Sequence, residues 1–308
     1  MNELINFIND NSQNIGIETY IVKYNKEENR YNFEYFQTSE SDQQIIQEKV
    51  VSQFTEILET RTTINLTSWD ERGEVIYKYN LEDEAKDKFL QLLNTPINPR
   101  ERIFNGNFKE VYGILHKIGT EDRYVVCYSQ NIPLNTFSNK LFGIFETRRK
   151  TFELIKSDTT FKLKDTVDLF LWNNEVYISN LKVAEKNFGV DVIIMDKANE
   201  TIEKIENIEI LEDIEVLKER VQELSFSRKL MRIKEESPVL KLPISQIITF
   251  TKTNKMTKGF KYSENGKIIL DTKNSQELFI KLLNDDFLHS QLTGMDYVSN
   301  SKDSNVGE

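Results

Sequence analysis

Val167-Asp-Leu-Phe-Leu-Trp-Asn-Asn-Glu-Val-Tyr-Ile-Ser179 is the stretch on which the fold class turns. Its apolar and aromatic density predicts two strands, Val167–Leu171 and Glu175–Ser179, turning at Trp172-Asn-Asn174. Upstream the same density recurs at Lys109–Ile118, Arg123–Ser129 and Arg148–Lys156, which points to an antiparallel sheet. Nearer the N-terminus, residues 17–24 and 30–37 alternate around the polar loop Asn25–Asn29. Ser41 is read as the cap of a helix to about Thr60 with Ile45, Val50, Phe54, Ile57 and Leu58 on its inner side. A strand at Val75–Tyr79 and a helix at Glu82–Leu93 follow, and Pro96 and Pro99 break the chain.

After Leu181 the period becomes helical through about Ile233. A hairpin is then expected at Phe260–Tyr262 and Lys267–Leu270 around Asn265-Gly266. The fold class is therefore α+β: an antiparallel sheet-rich N-terminal half with flanking helices, and a mainly helical C-terminal half with a short β-hairpin. The expected division is 1–155, 156–302 and a disordered tail at 303–308. Near the end, Leu278, Phe279, Leu282, Leu283, Phe287 and Leu288 line one helix face. That helix closes in a turn at Gly294, with Tyr297 folding back on it.

Composition narrows the class. At 38% hydrophobic, 29% charged and 5 Pro, the chain is that of a soluble globular protein. It holds no run near the ~20 apolar residues of a spanning helix. The opening Met-Asn-Glu-Leu lacks a basic region before an apolar core, so no secretory signal is expected and a cytoplasmic location follows. Cys127 is the one cysteine. It lies among apolar neighbours, which excludes an internal disulfide and reads as a buried, inert thiol.

The net charge of −10 argues against nucleic acid, but it hides an asymmetry. Ser225–Lys281 holds twelve Lys or Arg against five acids, a local charge of +7. Arg228, Lys229, Arg232 and Lys234 form one basic group, expected to project guanidinium groups from a helix face. Lys252, Lys255, Lys258 and Lys261 form a second at three-residue spacing, interleaved with Thr251, Thr253 and Thr257, whose hydroxyls would also reach phosphate. A solvated face that balances an acidic protein is the plainer reading of charge alone. Two further readings stand beside it: copies associating with the acidic N-terminal half against the basic segment, or the acidic stretch Glu203–Glu219 covering that segment within one chain.

Chemistry has thin support. Asp285, Asp286 and His289 within one helical turn would form a metal site, or simply a helix terminus. Asp271-Thr-Lys273 has the acid-x-Lys end of one nuclease fold without its upstream aspartate. His116 reads as a satisfied strand histidine, and Trp69 and Trp172 as packed rather than base-stacking. Neither a Gly-x-x-x-x-Gly-Lys nor a Gly-x-Gly-x-x-Gly loop occurs. No cofactor is expected.

The motifs Phe161-Lys-Leu-x-Asp165-Thr-Val-Asp168-Leu-Phe-Leu171, Val176-Tyr-Ile-Ser-Asn180 and Ser290-x-Leu292-Thr293-Gly294-x-x-Tyr297-x-x-x-x-Lys302 resemble the DUF4868 family, which supplies a subunit of the Kiwa anti-phage defence system. The resemblance is best over about residues 160–302 and weaker from about 105 to 159. It departs after the Val176 strand, where Val183-Ala184-Glu185 delays the aromatic to Phe188. It implies a non-enzymatic antiviral subunit that binds double-stranded DNA through the backbone, and the basic segment read from the charge pattern, Arg228, Lys229, Arg232, Lys234, Lys252, Lys255, Lys258 and Lys261, is the expected contact surface. It also implies a homodimer or higher homo-oligomer, and recruitment to the inner membrane by a small KwaA-type membrane protein. The alternatives are a metal-dependent nuclease and an assembly protein without nucleic-acid contact.

Overall fold

The computed structural model describes residues 1–10, 15–69, 74–80, 86–93, 102–106, 108–131, 142–146, 151–155, 163–164, 166–233 and 237–298. Pro96, Pro99, Asp165, Lys234, Lys302 and the 303–308 tail lie outside these residues. The chain forms two compact units, Met1–Thr63 with Glu74–Gly189, and Ile64–Gly73 with Val190–Glu308.

The first unit runs α1 (Asn2–Asp10), β1 (Gly16–Asn25), β2 (Arg30–Tyr35), α2 (Glu40–Thr60) and the first half of β3 (Thr62–Asn65), the boundary between units falling after Thr63. After β4 (Val75–Asn80) and α3 (Lys86–Leu93) come β5 (Gly113–Gly119), β6 (Tyr124–Gln130) and a separate pair, β7 (Phe142–Glu146) with β8 (Thr151–Ile155). β9 (Leu169–Trp172), β10 (Glu175–Ile178) and α4 (Leu181–Phe188) close it. Eight strands form one sheet in the order β2-β1-β5-β6-β9-β10-β4-β3. The turn expected between β9 and β10 is present, and Asn173 and Asn174 both take positive φ, the two-residue hairpin geometry that Asn tolerates.

Alternation across the pleat explains the burial. Cys127 on β6 faces Leu4 and Phe7 of α1 and Val50, Phe54 and Leu58 of α2, in one core. Its neighbour Tyr128 points to the other side, edge-on to Phe188 of α4, which stacks on Phe89 of α3. Both faces are covered, so the central strands read as unbroken apolar runs. Ile45 is 52% exposed and does not join the inner side of α2; the helix is capped by Ser39, two residues before Ser41. The expected Lys109–Ile118 strand begins only at Gly113, after a 3-10 turn at Phe108–Glu110. A Cβ on Gly113 would lie 2.4 Å from the ring of Tyr128.

Asp168 ties the signature motifs together. Its buried carboxylate accepts from the Gln130 amide at 2.7 Å, from Lys164 at 2.8 and 2.9 Å, and from Asn180 Nδ2 at 2.8 Å. Its carbonyl accepts from the amides of Ser179 and Asn180. The Asp168…Asn180 pattern is thus a brace across β6, β9 and the end of β10.

The second unit contains α5 (Val190–Asn207), α6 (Glu215–Arg220), α7 (Leu224–Met231) and α8 (Ile244–Thr253). The hairpin β11 (Lys261–Tyr262) and β12 (Ile268–Ile269), then α9 (Lys273–Leu283), then the hairpin β13 (Phe287–His289) and β14 (Asp296–Val298) complete it. Its core joins Ala198, Ile202, Phe226, Leu230, Ile247, Phe279 and Leu283. α9 starts in a capping box between Thr272 and Ser275. It ends at Leu283, not beyond Leu288: Asp285 takes φ +53°, and Phe287 and Leu288 belong to β13. Gly294 does turn the chain, at φ +66°, but Tyr297 pairs with Leu288 across the hairpin and is exposed rather than folded onto the helix.

Candidate nucleic-acid interface

The basic segment is built around the end of α8. Asn254 terminates that helix, and its side-chain oxygen accepts from the Met256 amide at 2.8 Å, opening a single 3-10 turn at Lys255–Thr257. Thr257 is buried, and its hydroxyl donates to the carbonyls of Thr251 at 2.8 Å and Asn254 at 3.0 Å, locking the turn onto the helix. Lys255 and Lys258 flank this lock. Both are exposed, and neither forms an ion pair among the described residues. The threonine hydroxyls read as phosphate donors are engaged within the chain. Thr251 and Thr253, like Thr257, donate to backbone carbonyls, because a hydroxyl in or beside a helix finds the preceding turn first. Lys252 lies over the Tyr262 ring at 4.9 Å, and Lys261 reaches Asp271 at 2.5 Å. That bond holds the Asp271 carboxyl below its ordinary range.

The other basic group is differently placed. Lys229 bonds Glu277 on α9 at 2.7 Å, and Glu277 also receives Arg220 at 2.8 Å. Arg220 stacks over Phe226 at 4.1 Å and bonds Gln276 at 3.0 Å. Arg232 lies 3.6 Å from the buried carboxylate of Asp286. Arg228, Lys229 and Arg232 are all half-buried, and Lys229 and Arg232 are engaged by Glu277 on α9 and by Asp286 just after it rather than projecting freely. The acidic stretch Glu203–Glu219 forms no ion pair with Lys252, Lys255 or Lys258 among the described residues. Its Glu206 and Glu215 are held by Lys218, whose pKa the two carboxylates raise. Sequence reading missed Asn254 as the residue that positions Lys255 and Lys258. An Asn directly after a helical run was the signal.

The candidates for chemistry disperse. Asp286 is buried against Arg232, Asp285 leaves the helix in a left-handed conformation, and His289 on β13 meets Asp296 at 2.8 Å. The three therefore do not share a helical turn. Asp271 and Lys273 are engaged separately by Lys261 and Glu223. Among the described residues, no three His, Cys, Asp or Glu are grouped to hold a metal ion.

Within the first unit, His116 and Cys127 are cross-strand partners, a pairing that in an open site would make a thiolate. Both are fully buried. Burial lowers the His116 pKa to about 4 and pushes the Cys127 thiol up, so both are neutral at pH 7. His116 Nδ1 lies 3.0 Å from the Thr19 hydroxyl, but its Nε2 has no hydrogen-bond partner among the described residues, so the histidine is only half satisfied. Trp172 is packed, 5.1 Å from Phe7 with Arg123 over its ring at 4.7 Å, and Trp69 is half-buried.

No described helix is long and apolar enough to cross a membrane. No solved structure matches the chain. The Kiwa protein KwaB of Escherichia coli O55:H7 (strain RM12579 / EPEC) is 29% identical over 254 residues, which cover 80% of this chain and 80% of that protein. A family model described as Kiwa protein KwaB-like matches residues 108–293, from the 3-10 turn before β5 to the turn before β14, and includes Arg228, Lys229, Arg232, Lys252, Lys255, Lys258 and Lys261. With more than half of its length matched, the chain belongs to the Kiwa protein KwaB-like family.

Proposed function

We propose that the protein is a non-enzymatic anti-phage defence subunit that binds double-stranded DNA through its phosphate backbone, with residues 156–302 as the segment that carries this role. Similarity to the Kiwa protein KwaB supports the defence assignment, and the DUF4868 designation belongs to the same proposal. The observation that carries DNA contact is the corner at Lys255 and Lys258, exposed and without a carboxylate partner in a unit whose other cations are largely engaged. Lys252 and Lys261 extend the contact. Arg228, Lys229, Arg232 and Lys234 join it if DNA displaces Glu277 and Asp286. The protein acts as a homodimer or higher homo-oligomer with a KwaA-type membrane protein, which draws it from the cytoplasm to the inner membrane.

The test is retention of a labelled duplex between about 50 and 200 mM salt, with Mg²⁺ present. Binding that falls steeply with salt, is lost in Lys255→Glu/Lys258→Glu and leaves the DNA intact is the expected result. DNA cleavage abolished by Asp271→Ala would instead establish a nuclease. No retention at the lowest salt would leave an assembly role without nucleic acid.

A further inference from the structure

Among the described residues, five of the second unit's nine exposed large apolar side chains lie on β13, β14 and the turn between them; Val192, Leu242, Ile244 and Phe250 are the others. Leu288, Leu292, Met295, Tyr297 and Val298 are between 42% and 96% exposed, and Leu292 at the apex is the most exposed. The turn is firmly built. The Ser290 amide donates to the Met295 carbonyl at 2.9 Å, the Gly294 amide to the Ser290 carbonyl at 2.8 Å, and the Thr293 amide to the Ser290 hydroxyl at 3.2 Å. These bonds fix the conformation in which the turn presents Leu292 and Met295, so little ordering is left to be done on contact. The polar pair on the strands, His289 and Asp296, is already joined by a hydrogen bond.

At the base, the Phe287 ring lies 6.2 Å from Phe250 of α8, so the hairpin shares a surface with the helix that leads to Lys252, Lys255 and Lys258. An exposed apolar hairpin whose base adjoins the helix that leads to Lys255 and Lys258 suits the boundary of an anionic bilayer, where hydrocarbon meets acyl chains and ammonium groups meet phosphate. Two copies meeting through this surface would instead bring their lysines together.

We propose that the β13–β14 hairpin is a lipid-contacting element: Leu292 and Met295 enter the acyl boundary of an anionic membrane while Lys255 and Lys258 engage its headgroups. The lysines are those of the proposed DNA contact, but the apex is not, and this separates the two readings. The experiment sediments the full chain with phosphatidylcholine vesicles, with and without phosphatidylglycerol, and measures duplex retention in parallel. Wild type partitions onto the anionic vesicles. Leu292→Glu/Met295→Glu lowers that partitioning about tenfold or more and leaves DNA retention unchanged. Lys255→Ala/Lys258→Ala lowers both. Wild type remaining in the supernatant, or an apex variant that partitions like wild type, overturns the proposal. So does an apex variant whose effect is to dissociate a homo-oligomer in sedimentation velocity without vesicle binding by wild type, which would assign the surface to a second copy. Vesicle binding without DNA retention would sink the DNA reading alone.

Discussion

The two units place their polar chemistry in opposite ways. In the first, Asp168, His116 and Cys127 are buried in or beside the sheet, and Asp168 is held by an amide, an ammonium and a side-chain amide at once. In the second, Lys255, Lys258 and Leu292 stand outward with nothing of the described chain holding their ends. Buried and saturated groups specify a fold, while groups left exposed keep their capacity for a partner. Substitutions should therefore divide, with the first unit losing stability and the second losing binding.

The largest effect is expected at Asp168. Asp168→Ala strands Lys164, which is 23% exposed, and leaves the Gln130 amide and Asn180 without their acceptor. Removing one member of such a buried network costs about 3 kcal/mol, at the lower end because Lys164 can reach water. Thermal melting would show it as a marked fall in Tm, with duplex retention by the folded fraction unchanged. A loss of DNA binding at full stability would break the comparison.

His116 gives the next effect, through pH. Its folded pKa of about 4 lies below the ordinary 6.5, so between these values the unfolded chain takes up a proton that the folded one refuses. The contribution is complete above about pH 6.5 and is lost as pH falls toward 4, in all about 3 kcal/mol by linkage. Urea unfolding at intervals across that window should show the slope, and His116→Gln should flatten it. A flat wild-type profile would mean that the site admits the proton.

How much of this was legible follows the same division. Asn173-Asn174 announced its hairpin because a two-residue turn needs residues that tolerate positive φ, and that requirement is local. The placing of β9 beside β6 and of β10 beside β4 is set by long-range packing, which leaves no trace in spacing. Phe287 and Leu288 continue the apolar period of α9, so the helix was read one turn too far. Only the left-handed Asp285 ends that continuity, and Asp is one of the few residues that adopt this conformation cheaply. The basic segment was visible as charge, but a count cannot show that Lys229 is turned onto Glu277, 48 residues later.

A smaller effect tests whether the lysine corner depends on the order of the second unit. Thr272→Ala removes the Thr272 half of the capping box at the start of α9 and should cost about 1 kcal/mol in urea unfolding. DNA retention should not change, because α8 and the Asn254 turn do not rest on that cap. Asn254→Ala is the opposite case: a similar small loss of stability, with weaker retention, since it releases the turn that sets Lys255 and Lys258 side by side.

The smallest change in stability carries the sharpest contrast. Lys229→Ala removes a partly exposed ion pair, and Arg220 still holds Glu277, so unfolding should shift by no more than about 0.5–1 kcal/mol. Each phosphate contact adds about one to the slope of log affinity against log salt. Lys255→Ala/Lys258→Ala should then reduce the slope by about two, and Lys229→Ala by much less, because Glu277 already occupies its ammonium. Equal reductions would mean that DNA draws Lys229 away from Glu277. The cations of α7 would then be a reserve opened by binding, and the second unit would contain an engaged and an exposed half that the nucleic acid itself makes one.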